Sequence, residues 1–337
     1  MAEVIEKTLT RKDFISDQEV RWCPGCGDYA ILAAVQKVFP ELGVKKENFL
    51  IVSGIGCSSR FPYYMDTYGF HSIHGRAPAF ASGAKLANPD LSVWIVTGDG
   101  DAMSIGGNHF IHVLRRNLDV NILMFNNRIY GLTKGQYSPT SELGKVTKST
   151  PMGSLDYPFN PPSLALGSGA TFVARTIDRE SKHLASIVKE SHAHRGGSFV
   201  EIYQNCNIFN DRAFADMTDK ETKMETQLVL EEDQPMIFGK DKDKGIILIG
   251  SQLSVIELGD DRNVDDVLVH NSADKNMARL LSAMTYNGDL PTPIGVLYKE
   301  ERATYDDMMQ AQLQSAVDAK GPGDLDALIK GSNTWTV

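Results

Sequence analysis

The chain has 337 residues, of which 42% are hydrophobic and 23% are charged, and its formal net charge at pH 7 is −9. This composition is typical of a folded globular protein with one large α/β domain, or with one domain and an appendage. The acidic balance argues against a nucleic-acid partner, which normally requires a basic face, and no stretch approaches the roughly 18 uninterrupted apolar residues of a membrane span.

The predicted elements alternate between helices and strands after a polar start. Residues 1–20 are predicted to form an extended arm with the features of neither a secretory signal nor a transit peptide, so a cytoplasmic location is expected. Apolar residues then recur at helical spacing from Asp28 to Phe39. Further helices are predicted over 77–87, 107–116 and 179–192, and strands over 49–52, 93–96, 120–125, 171–174 and 199–203. This alternation predicts an α/β fold, a mostly parallel sheet with helices on both faces.

Two segments depart from this alternation. Residues 131–162 are rich in Gly, Pro, Ser and Thr without a sustained period, and an irregular segment of this length is usually functional or disordered. Because it follows a predicted strand end, we expect an active-site loop. Residues 207–337 are more charged and contain a short strand-like run, 245–250, and a predicted helix near 303–317. The sequence therefore predicts an arm (1–20), an α/β domain (21–206) and a C-terminal extension (207–337) that packs on the core or on a partner.

A Gly-Asp-Gly motif and an Asn-Asn pair follow two of the predicted strands. Asp99 lies between Gly98 and Gly100, and Asn127 comes 28 residues later. In a parallel sheet, ligands collect at the carboxyl ends of the strands, and carboxylate and amide oxygens suit Mg²⁺. The glycines allow a diphosphate to approach the backbone closely. A pair of ordinary strand-to-helix turns is the alternative.

The chain contains four cysteines, at positions 23, 26, 57 and 206. Cys23 and Cys26 form a CxxC pair, while Cys57 and Cys206 each follow a predicted strand. Four thiolates suit a [4Fe–4S] cluster or a Zn²⁺ ion. A thioredoxin-like redox pair and unrelated buried thiols are further alternatives, so the cysteines alone do not decide between these sites.

Five motifs together resemble the β subunit of 2-oxoacid:ferredoxin oxidoreductases, in the order typical of that family and over about residues 20–210. They are Trp22-Cys-Pro-Gly-Cys-Gly-Asp28, Ser53-Gly-Ile-Gly-Cys-Ser-Ser-Arg60, His74-Gly-Arg76, Gly98-Asp-Gly-Asp101 and Asn126-Asn-Arg-Ile-Tyr-Gly-Leu-Thr-Lys134. The GDG and NN motifs also resemble the diphosphate–Mg²⁺ motif of thiamine-diphosphate enzymes in general. The resemblance implies the thiamine-diphosphate-binding fold, with residues 21–206 as its diphosphate-binding domain.

The resemblance also implies the cofactors and the residues that hold them. Cys23, Cys26, Cys57 and Cys206 would hold one [4Fe–4S] cluster, and Asp99, Asn127 and the carbonyl of Ile129 would hold Mg²⁺. The residues expected around thiamine diphosphate are Gly54, Ile55, Gly56, His74, Gly98, Asp99, Gly100, Asp101, Asn127, Ile129, Gly131 and Leu132. Ile55 would bend the cofactor, with simple turn packing as the alternative. His74 would act near the thiamine, with a hydrogen-bonded core histidine as the alternative.

The activity implied by the resemblance is the coenzyme-A-dependent oxidative decarboxylation of a 2-oxoacid. Thiamine diphosphate would accept the electron pair left behind by CO₂, and the cluster would pass electrons singly to ferredoxin. The activating Glu of such enzymes sits on a pyrimidine-binding domain for which this chain has no room. A separate α subunit, and an α₂β₂ particle, are therefore expected.

Two cations, Lys134 and Arg60, are candidates to bind the distal carboxylate of a dicarboxylic substrate. The surrounding sequences resemble the 2-oxoglutarate branch of the family more than the pyruvate branch. 2-Oxoglutarate is thus the expected substrate, with pyruvate or a branched-chain 2-oxoacid as the alternative. The alternative for Lys134 is that it is a solvated cation on a loop. A non-catalytic electron-transfer subunit is a less favoured reading. His109 and His112 are expected to pack or to face a partner.

Overall fold

The apolar runs of the N-terminal two thirds of the chain form a parallel sheet, as expected. The computed structural model describes residues 8–285 and 288–335. An eight-stranded sheet has the order β2-β1-β3-β4-β6-β5-β11-β7, and a three-stranded antiparallel sheet has the order β10-β9-β8. The strands are β1 Phe49–Ser53, β2 Tyr68–His71, β3 Ser92–Gly98, β4 Val120–Asn126, β5 Phe172–Ile177, β6 Gly197–Tyr203, β7 Gln227–Val229, β8 Ile237–Phe238, β9 Lys244–Ile249, β10 Gln252–Glu257 and β11 Thr292–Lys299.

Helices cover the large sheet on both faces. The helices are α1 Asp28–Val38, α2 Phe61–Tyr64, α3 Ala77–Ala87, α4 Asp99–Met103, α5 Gly107–Arg116, α6 Pro161–Gly167, α7 Ser181–Ala193, α8 Ala215–Thr218, α9 Lys223–Thr226, α10 Lys275–Met284, α11 Tyr305–Lys320 and α12 Leu325–Lys330. Helices α1 and α7 pack on one face around Ile51 and Trp94. Helices α3, α5 and α6 pack on the other around Leu50 and Ile95. Strands buried on both faces explain the continuous apolar runs.

The first six strands are all parallel, which brings their carboxyl ends to one edge of the sheet. The register places Gly98, the last residue of β3, opposite Phe125 of β4. Asn126 at the end of β4 is opposite Tyr203 at the end of β6. The segments that follow Gly98, Asn126 and Tyr203 therefore lie side by side, and they carry most of the predicted site.

The N-terminal segment differs from the prediction of a polar, extended arm. Residues 1–7 lie outside the described residues. Residues Arg11–Phe14 form a 3₁₀ turn, and Phe14 is fully buried against Phe39 and Phe49. One aromatic side chain is enough to anchor the segment, because its burial stabilises the folded state by about 2 kcal/mol.

The C-terminal segment contributes two strands to the large sheet, β11 and β7, neither of which was predicted. Strand β11 pairs antiparallel with β5, and β7 pairs parallel with β11. The rest of the segment has its own apolar cluster, which includes Phe238, Ile246 and Leu281. The division at residue 206 remains a prediction, but the sheet itself crosses it. Within the described ranges, no helix combines the length and the hydropathy needed to cross a bilayer.

Candidate active site

Asp99 is buried at the start of α4, directly after strand β3, with 2% of its surface exposed. Its Oδ2 accepts hydrogen bonds from the hydroxyl groups of Ser138 and of Thr140, the latter at 2.6 Å. Burial raises the pKa of Asp99, and the two hydroxyl donors oppose that effect. A buried carboxylate of this kind is stabilised by a divalent cation, because the cation offsets the loss of hydration.

Asn127 and Ile129 lie beside Asp99, on the turn that follows β4. The Asn127 Oδ1 accepts a hydrogen bond from the backbone N–H of Ile129 at 3.2 Å, and the Asn127 carbonyl accepts one from Asn210 at 2.9 Å. Ile129 is buried, with 3% of its surface exposed. Asp99, Asn127 and Ile129 line one cavity, and carboxylate, amide and backbone carbonyl oxygens are ligands that fit Mg²⁺.

A buried ion pair supports this turn from inside the sheet. Arg175 Nε lies 2.7 Å from Glu201 Oε2, and each side chain is 1% exposed. The Asn126 side chain donates to Glu201 Oε1 at 2.8 Å, and its Oδ1 accepts from Arg128 N and from the Thr140 hydroxyl. Arg175 also donates to the Thr285 hydroxyl and to the Pro293 carbonyl of the C-terminal segment. The predicted metal-binding turn is thus connected, through Asn126 at the end of β4 and the ion pair, to residues of three further strands, β5, β6 and β11.

Asp101 links three backbone segments below the same site. Its carboxylate accepts hydrogen bonds from Ile55 N at 3.1 Å, from Gly75 N at 2.8 Å and from the Thr97 hydroxyl at 2.8 Å. Burial raises its pKa, and these donors oppose the rise. Asp101 therefore fixes the loop that carries Ile55 and the turn that carries His74.

An open cavity of about 690 Å³ lies above Asp99. Of the residues predicted to contact thiamine diphosphate, those that line this Asp99 cavity are Ile55, Gly56, His74, Gly98, Asp99, Gly100, Asp101, Asn127, Ile129, Gly131 and Leu132. Gly54 does not line it. Instead, a Cβ at Gly54 would lie 1.9 Å from Asp101 Oδ2, so Gly54 permits the close approach of Asp101.

The four cysteines line a second cavity, of about 770 Å³, which we call the cysteine cavity. The Cys23-Pro-Gly-Cys26 segment turns back on itself, with a hydrogen bond from Cys26 N to Cys23 O and with Gly25 at φ +83°. The sulfurs of Cys57 and Cys206 lie 3.6 and 3.5 Å from the position that a Cβ on Gly131 would occupy. The structure thus brings the CxxC pair and the two isolated cysteines to one cavity.

The environment of Cys26 and Cys57 disfavours the bare thiolate. Burial, followed by the charge of Asp28, raises the pKa of Cys57 to about 12 and also raises the pKa of Cys26. Thiolates in such a place require a cationic metal centre, and a cluster fits this requirement. In the described part of the chain, no group of three or more His, Cys, Asp or Glu side chains is arranged to hold a single metal ion.

The two cavities share a wall formed by Cys57, Asn127, Gly131 and Leu132. Arg60 and Lys134 line the cysteine cavity and not the Asp99 cavity. Arg60 is half-buried, and its Nη1 donates to the Arg21 carbonyl at 2.9 Å. Lys134 is exposed and has a left-handed backbone with φ +75°. Both cations therefore belong to the cysteine cavity, which adjoins the Asp99 cavity at the shared wall.

Four residues of the site had no role assigned from the sequence: Ser138, Thr140, Gln204 and Asp28. Asp28 lines the Asp99 cavity at 1% exposure, and neither of its carboxylate oxygens accepts a hydrogen bond from a described N–H or O–H group. Burial raises its pKa to about 7, and a contact with the Cys26 thiol opposes the rise. A bound polar ligand would satisfy the remaining acceptor capacity of this carboxylate. Asp28 lies within the first motif, whereas Ser138, Thr140 and Gln204 lie outside the five motifs.

Gly75, in the His74-Gly-Arg76 motif, has φ +66° and no room for a side chain. A Cβ there would lie 2.4 Å from the backbone N and Cα of Gly106. We expect Gly75→Ala to lower the free energy of unfolding by about 2–5 kcal/mol, the combined cost of left-handed backbone and of overpacking. Urea unfolding measures this loss. Gly83→Ala in α3, where no atom lies within 4 Å of the added Cβ, is the control and should stabilise by up to about 1 kcal/mol. Equal stability of Gly75→Ala and the parent chain would contradict the argument.

Comparisons with known proteins agree with this geometry. Residues 54–202 match the family model described as "Thiamine pyrophosphate enzyme, C-terminal TPP binding domain". The 2-oxoglutarate oxidoreductase subunit KorB of Mycobacterium tuberculosis is 54% identical over 330 residues, which cover 97% of this chain and 88% of the relative. The 2-oxoacid:ferredoxin oxidoreductase 1 β subunit of Aeropyrum pernix is 50% identical over 190 residues, 56% of this chain and 60% of that relative.

A solved structure is similar over nearly the whole length of the chain. It is the 2-oxoglutarate:ferredoxin oxidoreductase of Magnetococcus marinus with 2-oxoglutarate, coenzyme A and succinyl-CoA bound. The TM-score is 0.78 at 32% sequence identity, and the match covers 97% of each chain. The fold similarity therefore includes the C-terminal segment as well as the parallel sheet.

Proposed function

Because this chain belongs to the β subunits of the 2-oxoacid:ferredoxin oxidoreductases, we propose that its two adjoining cavities hold thiamine diphosphate with Mg²⁺ and one [4Fe–4S] cluster. The observation that carries this proposal is the shared wall. Cys57, Asn127, Gly131 and Leu132 each line both cavities, so a cofactor bound above Asp99 would lie next to the cysteines. Two cofactors in adjoining cavities would be close enough for direct electron transfer between them.

Each part of the Asp99 cavity has a proposed task. Asp99, Asn127 and the carbonyl of Ile129 hold Mg²⁺, and the glycines beside Asp99 leave the backbone open to the diphosphate. Ile55 and His74, whose segments are fixed through Asp101, line the Asp99 cavity and would contact the bound cofactor. When bound, thiamine diphosphate supplies an acceptor for the electron pair released as CO₂ leaves a 2-oxoacid.

The cysteine cavity is the proposed site of the iron–sulfur cluster. Cys23, Cys26, Cys57 and Cys206 would hold the cluster, and a bound cluster would supply one-electron chemistry between the substrate site and ferredoxin. Coenzyme A takes the acyl group, its thiol proton is released, and the products are an acyl-CoA and CO₂. The overall reaction balances with two oxidised ferredoxins as the electron acceptors.

An α subunit completes the proposed enzyme. The family model matches one thiamine-binding domain in this chain, the C-terminal one, and the described residues form one such sheet. We propose that the pyrimidine-binding domain, with the Glu that activates the cofactor, comes from a partner chain and that the particle is α₂β₂.

We propose 2-oxoglutarate as the substrate, with succinyl-CoA as the product. The M. tuberculosis relative is named for 2-oxoglutarate, and the M. marinus structure contains both 2-oxoglutarate and succinyl-CoA. The test is an anaerobic assay of the α–β complex, which compares coenzyme-A-dependent ferredoxin reduction by 2-oxoglutarate and by pyruvate. Preference for pyruvate would overturn the substrate, and failure to bind thiamine diphosphate would favour a pure electron carrier.

Arg60 is the better placed of the two cations for the distal carboxylate, because it is half-buried whereas Lys134 is exposed. We expect Arg60→Met to raise the KM for 2-oxoglutarate by about tenfold or more, since hydrogen bonds to charged groups contribute about 1.5–3 kcal/mol. The KM for pyruvate, which lacks that carboxylate, should change little. Lys134→Met is the matched control. Equal losses with both substrates, or a selective loss in Lys134→Met instead, would contradict this assignment.

A further inference from the structure

Gln204 lies between the two cavities and contacts a residue of each. It directly follows strand β6 and is 1% exposed. Its backbone N–H donates to the Asn126 carbonyl at 2.9 Å. Its Oε1 accepts from Asn127 Nδ2 at 2.8 Å, and its Nε2 lies 3.3 Å from Cys26 Sγ. One buried amide thus joins a predicted Mg²⁺ ligand to a predicted cluster ligand.

Two backbone groups fix the orientation of the Asn127 and Gln204 side-chain amides. They are the N–H of Ile129 and the carbonyl of Asn205. The Ile129 N–H can donate only to an oxygen, so Asn127 presents Oδ1 to it and turns Nδ2 towards Gln204. Gln204 must then present Oε1 to Asn127. Its Nε2 is left to donate to the Asn205 carbonyl at 2.6 Å and to the Cys26 sulfur. A flip of either amide would place donor against donor.

We propose that Gln204 is a positioning residue that orients Asn127 for Mg²⁺ and donates an N–H···S hydrogen bond that raises the reduction potential of the cluster. The inference rests on the proposed function, because it requires that Asn127 and Cys26 be ligands. Hydrogen bonds to cluster sulfurs stabilise the more negatively charged reduced state. Residues that orient a metal ligand typically affect metal affinity by about 10- to 100-fold.

The test uses the α–β complex, purified without oxygen, and two measurements that do not depend on turnover. The first is the midpoint potential of the β-chain cluster, followed by EPR in a reductive titration and identified by its loss in Cys206→Ser. The second is the dissociation constant of Mn²⁺, used in place of Mg²⁺ in the presence of thiamine diphosphate. In Gln204→Leu we expect a more negative potential and an increase of about tenfold or more in the Mn²⁺ dissociation constant.

A second variant separates the two contacts. Gln204→Glu keeps an oxygen acceptor for Asn127 Nδ2 and removes the N–H donor to Cys26. It should therefore show the negative shift in potential while its Mn²⁺ affinity stays close to that of the parent enzyme. It also provides a test if Gln204→Leu does not fold.

Gln36 provides a matched control, because it is also a buried glutamine whose side chain donates to a backbone carbonyl, that of Tyr64 at 3.1 Å. Gln36→Leu should lose stability but keep both the potential and the Mn²⁺ affinity. A wild-type potential or a wild-type Mn²⁺ affinity in Gln204→Leu would overturn the proposal, as would equal shifts in Gln36→Leu. A parent complex with neither a cluster signal nor Mn²⁺ binding would instead overturn the proposed function.

Discussion

Replacing Asp99 with alanine is expected to abolish turnover of the 2-oxoacid and to weaken Mn²⁺ binding by more than about 100-fold. Loss of a residue that only orients a ligand typically reduces metal affinity by about 10- to 100-fold, and loss of a direct carboxylate ligand should exceed that range. Asp99 is buried, and its Oδ2 accepts hydrogen bonds from the hydroxyl groups of Ser138 and Thr140, which hold the carboxylate in one orientation. Mn²⁺ titration with thiamine diphosphate, followed by EPR, measures the effect.

The same variant should keep its cluster, because the cysteines line the other cavity. Asp306→Asn is a matched control, since Asp306 is also a buried aspartate and accepts a hydrogen bond from Asp119 N at 3.0 Å, in the region of α11. It should lose some stability without losing metal affinity. Retention of Mn²⁺ binding in a folded Asp99→Ala variant would show that the cation site has been wrongly assigned.

Replacing Cys206 with serine is expected to remove the cluster and, with it, the reduction of ferredoxin. Cys206 is the most buried of the four cysteines, and the turn that carries it is closed by a hydrogen bond from Asn210 N to Cys206 O at 2.9 Å. A [4Fe–4S] cluster with four cysteine ligands contains about four iron and four sulfide ions per chain. Iron and acid-labile sulfide attributable to this chain should therefore fall from about four to near zero.

Binding of Mn²⁺ and thiamine diphosphate should survive in Cys206→Ser, because Asp99 and Asn127 are untouched. Ser198→Ala is a suitable control, since Ser198 is fully buried near the opposite end of the same strand, β6, and its iron content should equal that of the parent enzyme. A full complement of iron in Cys206→Ser, or zinc in the parent complex, would refute the cluster assignment.

The sheet could be predicted from the sequence where a strand is buried on both faces. Runs such as 93–96 and 120–125 are mostly apolar because helices cover both sides of them, and each lies within an observed strand, Ser92–Gly98 and Val120–Asn126. The carboxyl ends of these strands could then be placed together, which is why Asp99 and Asn127 were predicted to lie close to each other. The short helix α4, which begins at Asp99 itself, was not predicted, since five residues give no periodic pattern.

The remaining features depend on contacts between distant parts of the chain. Strand β11 pairs with β5 more than a hundred residues earlier in the sequence, and nothing local in either strand specifies that partner. Ser138 and Thr140 lie in an irregular segment, so periodicity could not show that they reach Asp99. Arg60 and Lys134 line the cysteine cavity because of the geometry of the turns that carry them. That geometry could not be predicted from the motif sequences.

Strand β11 is synthesised long after the strands beside the site, although it contributes to their support. Arg175 and Glu201 lie within the first 206 residues, but Arg175 also donates to Thr285 and Pro293, which the ribosome synthesises much later. The ion pair and its contact with Asn126 can form in a shorter nascent chain, whereas these two additional hydrogen bonds cannot. We therefore expect the Arg175–Glu201 pair to acquire its hydrogen bonds to the C-terminal segment only late in synthesis, after strand β11 has been translated.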